Sequence, residues 1–322
     1  MRPIALILIS ALALCAVLIA QDDSTTLKVE VNLVNILFNV RDKHAGLVGN
    51  LEKSDFKIYE DGKEQEIKYF NRETDLPLTI GLLIDVSASQ QNLIDIEKNA
   101  AYQFFGSVLR KQDLAFLISF GEDAELLQDY TNSPKLLRAG LNGLQVNSGV
   151  GGIGPGPVPT ISQPRGTILY DAVYLAASDQ LKGQVGRKVL VLITDGEDEG
   201  SRYKISQAIE AAQKADAIIY GFYYVDRGFY ASQGLVFGGV SDSALRQMSD
   251  DTGGHVFHVD RRMTLQQAFD ELQDEMRSQY AIGYTPTNPA RDGTFRKIEI
   301  KTANKDWKVQ ARKGYYATKS DN

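Results

Sequence analysis

The sequence predicts an α/β protein with a doubly wound, mostly parallel sheet and a smaller β-sandwich-like domain. The first observation is that buried-strand patterns alternate with helical patterns over residues 77–278, which is typical of a parallel sheet covered on both faces. The second is the period-two β pattern on both sides of this block, in residues 26–76 and 279–318. We expect these two segments to pair with each other, so that the α/β domain is an insertion between them.

The first 20 residues predict an export signal. Arg2 precedes an apolar run over residues 4–20, and polar residues follow it. A short basic region before an apolar run that ends in small residues is typical of a secretory signal peptide. The run is also close to the length of a membrane span, so an uncleaved N-terminal membrane anchor is the alternative. We therefore expect an exported protein that is periplasmic, envelope-associated or secreted.

Composition and charge argue against several classes of function. The chain has 322 residues, a net charge of −6 and no cluster of Lys and Arg, which argues against nucleic acid as a partner. Cys15 is the only cysteine, and it lies inside the predicted signal. The mature chain would therefore contain no disulfide, no thiol nucleophile and no thiolate metal site. This composition fits a bacterial envelope or secreted protein that is stabilised by a large core.

The N-terminal β segment contains a strand and a hairpin. Apolar residues at alternate positions over residues 27–38 indicate a strand with one buried face. Residues 56–60 then run into a turn at Asp61-Gly62, and both turn residues tolerate the positive φ of a type I′ hairpin. We place the return strand of this hairpin at residues 66–70.

The α/β block begins with the apolar run Ile80-Gly81-Leu82-Leu83-Ile84, the pattern of a strand buried on both faces. Gly-rich segments at residues 149–165 and 228–239 interrupt the block, and the length of the first indicates function or disorder rather than a routine connection. Further strands are predicted at residues 113–120, 124–130, 188–193, 217–225 and 255–259. Helices are predicted from about residue 92 to 108 and over residues 134–144, 168–181, 205–215, 243–249 and 265–278. Strands at residues 280–284, 296–302 and 307–311 complete the chain.

Three oxygen-bearing side chains follow the first buried strand of this block. Asp85, Ser87 and Ser89 form an Asp-x-Ser-x-Ser sequence at the point where the strand ends. Open α/β sheets bind ligands at the carboxyl ends of their strands, and hard oxygen ligands suit Mg²⁺ or Mn²⁺ better than zinc. Taken alone, the sequence is equally consistent with capping of the helix that begins near Asn92.

Two later segments favour the metal site. A second buried strand ends in Thr194-Asp195-Gly196, so Asp195 is expected at the same edge of the sheet as Asp85. Between them, Thr167 follows Gly166 near the start of a helix, beside the long Gly-rich segment. In this order, Asp-x-Ser-x-Ser, Gly-Thr and Thr-Asp-Gly resemble the von Willebrand factor type A (VWA) domain and its metal-ion-dependent adhesion site (MIDAS).

This resemblance implies a Rossmann-like VWA domain over residues 77–278 and a metal site with five ligand positions. All five positions are filled in this chain, by Asp85, Ser87, Ser89, Thr167 and Asp195. The resemblance also implies Mg²⁺, or alternatively Mn²⁺ or Ca²⁺, with an open coordination position that accepts an acidic residue of a protein ligand. We therefore predict a non-enzymatic, exported binding protein that has no organic cofactor.

The flanking segments resemble a group of exported bacterial proteins that are related to this domain. That group has an acidic Glu-Asp-Gly hairpin before the domain, and Gly-Tyr, Asp-Gly-x-x-Arg and Arg-x-Gly-Tyr sequences after it. The matching residues here are Glu60-Asp61-Gly62, Gly283-Tyr284, residues 292–296 and residues 312–315. The resemblance implies export but no established activity.

Two other functions stay open at this point. Asp85 could be the nucleophile of a Mg²⁺-dependent hydrolase or phosphatase, although haloacid-dehalogenase-like phosphatases need a second carboxylate where this chain has Ser87. Alternatively, the chain could be a structural envelope protein in which the site only stabilises the fold.

Three further sequence matches have structural interpretations. Residues 149–154 satisfy G-x-G-x-x-G, but prolines follow them, so no dinucleotide site is predicted. Asp251-Thr252-Gly253 has the letters of an aspartic protease triplet, yet it follows a helix, and its glycine suits a helix C-cap. His255 and His258 are three residues apart in a strand and point to opposite faces, which argues against a shared zinc site.

Overall fold

The computed structural model describes residues 33–73, 75–146, 166–232 and 240–318. The expected signal segment and the first Gly-rich segment lie outside these ranges, as do residues 233–239 of the second. Predictions about them therefore stay predictions. Within the described ranges, no helix is both long and apolar enough to cross a membrane.

The elements follow the expected order of a β segment, an α/β block and a second β segment. The strands are β1 (Val34–Arg41), β2 (Phe56–Glu60), β3 (Lys63–Gln65), β4 (Ile67–Arg72), β5 (Leu78–Asp85), β6 (Leu114–Phe120), β7 (Ala124–Thr131), β8 (Arg187–Thr194), β9 (Ala217–Tyr224), β10 (Val256–Val259), β11 (Tyr280–Tyr284), β12 (Phe295–Thr302), β13 (Lys308–Ala311) and β14 (Gly314–Tyr316). The helices are α1 (Ile94–Val108), α2 (Pro134–Asn142), α3 (Leu169–Leu175), α4 (Ile205–Lys214), α5 (Arg227–Ser232), α6 (Ser243–Thr252) and α7 (Leu265–Arg277). A π-helical turn, Ala176–Leu181, continues α3.

The α/β block forms the doubly wound, mostly parallel sheet that the sequence predicts. Its strand order is β10-β9-β8-β5-β6-β7, and only β7 runs antiparallel to its neighbour. Every residue of β5 and β8 is buried, because helices cover both faces of the sheet. One apolar layer packs against α1, α2 and α7, and the other packs against α3, α4 and α6.

The flanking β segments form two further sheets with strand orders β13-β1-β11-β4 and β14-β12-β2-β3. Each sheet combines strands from before and after the α/β block, so the predicted pairing of the two segments is confirmed. A separate apolar core lies between the sheets. Within it, the rings of Phe38 and Phe56, one from each sheet, meet edge to face with their centroids 5.1 Å apart.

The hairpin prediction is right about the turn and wrong about the return strand. Asp61 and Gly62 have φ values of 48° and 81°, as a type I′ turn requires. This two-residue turn pairs Glu60 with Lys63, so the return strand is β3 and not residues 66–70. The chain then crosses to the other sheet, where β4 pairs with β11.

Glu60 joins three of the flanking motifs. Its side chain is buried, and Oε2 accepts hydrogen bonds from the hydroxyls of Tyr284 at 2.7 Å and Tyr315 at 2.9 Å. Burial, reinforced by Glu60, raises the pKa of both tyrosines, so they remain donors at physiological pH. Beside Glu60, the Asp61 carboxylate accepts from the backbone N–H of Lys297 at 2.9 Å. The Glu-Asp-Gly and Gly-Tyr motifs therefore hold the two sheets of the sandwich together.

A second buried carboxylate, Glu275 on α7, joins the sandwich to the α/β domain. Its Oε2 accepts from Arg41 of β1 at 2.7 Å, and its Oε1 accepts from the Tyr220 hydroxyl of β9 at 3.0 Å. The amide of Gln310 on β13 also donates to Oε1. Burial alone would raise the pKa of Glu275, but the His255 and Arg41 side chains outweigh it and lower that pKa. Glu275 is therefore an ionised anchor.

Replacing Glu60 with Ala should destabilise the protein by about 2–4 kcal/mol, because two buried hydroxyls lose their acceptor. Urea unfolding of the full chain measures this change. The matched control is Glu64→Ala, which removes an exposed glutamate of the same hairpin that pairs with Lys57 and should cost less than about 1 kcal/mol. Equal losses for the two variants would contradict the anchoring role of Glu60.

Replacing Glu275 with Gln should destabilise the protein most near neutral pH. The pKa of Glu275 is lowered in the folded state, so its contribution to stability is present above the unfolded value of about 4.3 and is lost as pH falls through the folded value. The difference in unfolding free energy from wild type should therefore shrink at pH values below about 4. Glu271→Gln, an exposed change on the same helix, provides the control; a pH-independent Glu275 effect would argue against the ionised anchor.

Candidate metal centre

Parallel pairing of β5 with β8 brings the two predicted carboxylate ligands to one edge of the sheet. Ile84 pairs with Ile193, so Asp85 and Asp195 lie at the carboxyl ends of neighbouring strands. Their exposed fractions are 0% and 1%. Two acidic side chains that are this deeply buried need close compensating partners.

Ser87 and Ser89 complete a connected group with Asp195. The two serine Oγ atoms are 3.0 Å apart, and Ser89 Oγ donates to Asp195 Oδ2 at 2.6 Å. The capping alternative does not hold, because α1 has Leu93 at its N-cap and no side-chain capping bond. The Asp-x-Ser-x-Ser side chains face the end of β8 instead of the start of α1.

Asp85 has both of its oxygens engaged by the protein. Oδ1 accepts from the backbone N–H of Ser87 at 2.9 Å, and Oδ2 accepts from Thr194 Oγ1 at 2.6 Å. Burial, and next the charge of Asp195, raises the pKa of Asp85 to about 7. Thr194 therefore has a positioning role that the sequence motif did not assign to it.

Thr167 lies beside this group through its backbone. Its carbonyl oxygen accepts from the N–H groups of Glu199 and Gly200 at 3.0 and 3.2 Å, so it touches the loop that follows Asp195. In the part of the chain that the structure describes, no hydrogen bond joins its side chain to the other four predicted ligands. Thr167 as a metal ligand stays a prediction.

Two acids, one in the loop after Asp195 and one on α3, fix the approach to the site. Asp198 Oδ1 accepts from the backbone N–H of Tyr170 at 3.1 Å, and Asp171 Oδ1 accepts from the N–H groups of Arg202 and Tyr203 at 2.8 Å each. These bonds tie the loop after Asp195 to the start of α3, which lies close to Thr167. Asp198 is therefore engaged by the backbone.

The donor set fits a small hard cation. Ligands of octahedral Mg²⁺ lie at about 2.0–2.1 Å from the ion, which puts neighbouring ligand oxygens about 2.9 Å apart. The oxygen distance between Ser87 and Ser89, 3.0 Å, is close to that value. No group of three or more His, Cys, Asp or Glu residues within the described ranges could hold a metal. The connected group described above instead combines hydroxyl and carboxylate oxygens.

Tyr230 is a site residue that the sequence analysis missed. Its hydroxyl donates to Asp195 Oδ2 at 2.8 Å. Burial, and next the charge of Asp195, raises the pKa of Tyr230, which keeps the hydroxyl protonated. Tyr230 lies on α5, within a segment that we expected to be a Gly-rich loop, so the loop prediction is wrong for residues 228–232. No ligand motif contains this tyrosine, and its spacing from Asp195 gives no signal.

A third buried carboxylate, Glu97 on α1, was also missed. It is fully buried, and neither of its oxygens has a hydrogen-bond partner within the described structure. Burial, and next the charges of Asp85 and Asp195, raises the pKa of Glu97 well above its ordinary value. Glu97 therefore lies within the electrostatic field of the site without touching its ligands.

Residues 160–271 match the family model of the von Willebrand factor type A domain, a span that includes Thr167 and Asp195. The chain contains a VWA domain. The recognition made from the motifs is confirmed, although Asp85, Ser87 and Ser89 precede the matched span. Among curated proteins, no sequence matches this chain.

Several solved structures are similar to this VWA protein. An aerotolerance-related membrane protein from Bacteroides fragilis, with multiple mutations to serines, has 15% identity, covers 62% of this chain and 98% of its own, and gives a TM-score of 0.44. A von Willebrand factor type A protein from Catenulispora acidiphila has 13% identity, with coverages of 91% and 76% and a TM-score of 0.48. Proximal thread matrix protein 1 from the mussel byssus, with a zinc-occupied MIDAS motif, has 12% identity, with coverages of 64% and 50% and a TM-score of 0.46.

Adding Mg²⁺ or Mn²⁺ should raise the unfolding temperature of this VWA protein, and EDTA should reverse the increase. A cation at 100 times its Kd would add about 2.7 kcal/mol to the unfolding free energy. Ser89→Ala should reduce this increase strongly, because it removes one hydroxyl of the connected group. Ser107→Ala is the control, since that hydroxyl bonds to Phe104 and Gln273 instead. An equal increase in wild type and Ser89→Ala would rule out this site.

Proposed function

We propose that this chain is an exported, non-enzymatic binding protein whose VWA domain engages a protein ligand through a divalent-cation-dependent adhesion site. One observation carries the proposal: Ser87 Oγ, Ser89 Oγ and Asp195 Oδ2 form a connected group at the carboxyl edge of the sheet. The VWA family match over residues 160–271 supports the same function. The proposed domain boundaries are residues 77–278 for the VWA domain, with residues 26–76 and 279–318 forming the sandwich.

Four of the predicted ligands have a proposed role at the cation. Ser87 and Ser89 are neutral ligands, and Thr167 is a further ligand from the start of α3. Asp85 acts directly or through water, while hydrogen bonds from Ser87 and Thr194 orient its two oxygens. When bound, Mg²⁺, or alternatively Mn²⁺ or Ca²⁺, would supply an electrophilic position for an acidic oxygen of the partner.

The same observations argue against a hydrolase. A nucleophilic carboxylate needs an oxygen that can reach its substrate, yet Asp85 is completely buried and both of its oxygens accept hydrogen bonds. The position two residues later, where a phosphatase of this type needs an acid, holds Ser87. These features support a binding function over a hydrolase function.

The exported part of the proposal depends on the N-terminal sequence. The apolar run over residues 4–20 has the pattern of a signal peptide, and an uncleaved membrane anchor is the alternative. A periplasmic, envelope-associated or secreted location would place the site among other envelope proteins. The net charge of −6 supports a protein partner over nucleic acid.

Immobilised full chain should capture its partner from envelope or culture-medium extracts only when a divalent cation is present. EDTA and Ser89→Ala should each abolish the capture, and re-adding Mg²⁺ after EDTA should restore it for wild type. Asp250→Ala, an exposed acid on α6, should behave as wild type. Capture that persists both in EDTA and in Ser89→Ala would contradict the proposal.

The chain should not hydrolyse p-nitrophenyl phosphate in the presence of Mg²⁺, because Asp85 is inaccessible to a substrate. A colorimetric assay of wild type and Asp85→Asn provides the measurement. Turnover by wild type that is lost in Asp85→Asn would favour the hydrolase and overturn the binding proposal.

A further inference from the structure

Tyr230 contacts the connected group of Ser87, Ser89 and Asp195, but it belongs to no ligand motif. It lies on α5, which immediately follows β9, and its hydroxyl donates to Asp195 Oδ2. The start of α5 is fixed by Asp226, whose Oδ1 accepts from the N–H groups of Gly228 and Phe229 at 2.8 and 3.1 Å. The location of the Tyr230 hydroxyl is therefore set by its own helix.

The same helix is attached to the segment that carries the serines. Asp226 Oδ2 accepts from the side-chain amide of Asn92 at 2.6 Å, and Asn92 is three residues after Ser89. Tyr230 and Ser89 consequently approach Asp195 from two segments that are joined to each other. The arrangement is specific, because both hydroxyls meet the same oxygen atom.

Asp195 Oδ2 has no acceptor capacity left in this arrangement. An ionised carboxylate has about four lone-pair sites, two on each oxygen. Ser89 at 2.6 Å and Tyr230 at 2.8 Å fill both sites on Oδ2. Oδ1 accepts only a longer bond of 3.3 Å from the backbone N–H of Glu197. For Oδ2 to bind a cation directly, one of the two hydroxyl donors has to leave.

Of the two donors, only Tyr230 can be lost without removing a predicted metal ligand. A serine hydroxyl can donate its proton to Asp195 and still offer a lone pair to a cation, so Ser89 can keep its bond while it coordinates. Tyr230, by contrast, is not a predicted ligand, and its hydroxyl donates to Asp195 Oδ2. Whether Asp195 Oδ2 coordinates directly therefore depends on Tyr230.

We propose that Tyr230 is a positioning residue of the VWA site: its hydroxyl occupies Asp195 Oδ2 and keeps that oxygen out of direct coordination, so that the cation retains its attraction for an acidic oxygen of the partner. This inference rests on the proposed cation-dependent function and adds a residue that tunes it. Removing the hydroxyl frees Oδ2 for the cation. The cation is then held more tightly, and an external carboxylate is held less tightly.

The test uses full-length Tyr230→Phe with Mn²⁺ alone as the first probe. Electron paramagnetic resonance of free Mn²⁺ gives the affinity, and water-proton relaxation gives the number of exchangeable waters on the bound ion. Acetate added to the Mn²⁺-loaded protein then reports binding of a simple carboxylate. Tyr223→Phe is the matched control, because its hydroxyl lies at the same end of β9 but donates to the backbone oxygen of Val240 at 3.2 Å.

Tyr230→Phe should bind Mn²⁺ about five-fold more tightly, the size of effect expected from one hydrogen bond. Its bound ion should retain fewer exchangeable waters, and acetate should bind about five-fold more weakly, while Tyr223→Phe matches wild type on all three measurements. A purely structural role for the Tyr230 hydroxyl would leave the hydration and the acetate affinity unchanged.

Mn²⁺ affinity that is unchanged or weaker in Tyr230→Phe, with wild-type hydration, would overturn the inference. If Ser89→Ala abolished Mn²⁺ binding in the same experiment, the proposed function would still stand. If wild type failed to bind Mn²⁺, both the proposed function and the role of Tyr230 would be overturned. The two failures are thus distinguished by the wild-type and Ser89→Ala measurements.

Discussion

The site depends on the parallel pairing of β5 with β8, two strands whose residues are all buried. Neighbouring strands lie about 4.8 Å apart, so their carboxyl ends can place side chains within hydrogen-bond reach only when the register is correct. Gly81 lets neighbouring side chains pack closely against β5. A Cβ atom at this position would lie 2.3 Å from the ring of Phe116 and 2.7 Å from Leu190, so both side chains would have to shift. The geometry of a polar site is thus determined by apolar residues that take no part in its chemistry.

The buried carboxylates of this protein fall into three classes by their hydrogen-bond donors. Glu60 and Glu275 are surrounded by donors from separate elements, and they stabilise the sandwich and its junction with the α/β domain. Asp85 accepts from the Thr194 hydroxyl, and Asp195 accepts from the hydroxyls of Ser89 and Tyr230; these neutral donors supply no counter-charge. Glu97 has no donor within the described structure, and burial, and next the charges of Asp85 and Asp195, raises its pKa. Since burying charge is costly without a counter-charge, this concentration of acid around one sheet edge supports a cation site on physical grounds that do not depend on the family resemblance.

Local sequence patterns predicted the strands and helices well, because burial of one or both faces of an element gives its sequence a characteristic hydrophobic periodicity. β5 and β8 read as apolar runs, and the hairpin turn at Asp61-Gly62 follows from the φ angles that those residues tolerate. The return strand was misplaced because the change of sheet after Gln65 depends on partners more than 200 residues away, such as Thr287. Tyr230 was missed for a similar reason: tertiary structure alone brings a tyrosine to an aspartate that lies 35 residues earlier. The ligand motif was visible because its residues must follow strand ends, whereas Tyr230 and Glu97 are subject to no such positional constraint.

The ladder between β4 and β11 has a mechanical consequence. β4 is the last strand before the α/β block and β11 the first one after it, and the two pair antiparallel, with Arg72 opposite Tyr280. Tension in the sandwich would therefore reach the two connections of the inserted domain only after this row of backbone hydrogen bonds ruptured. The inserted domain would carry little force while the β4–β11 ladder stayed intact. A molecule tethered through its sandwich could therefore be stretched without distorting the metal centre.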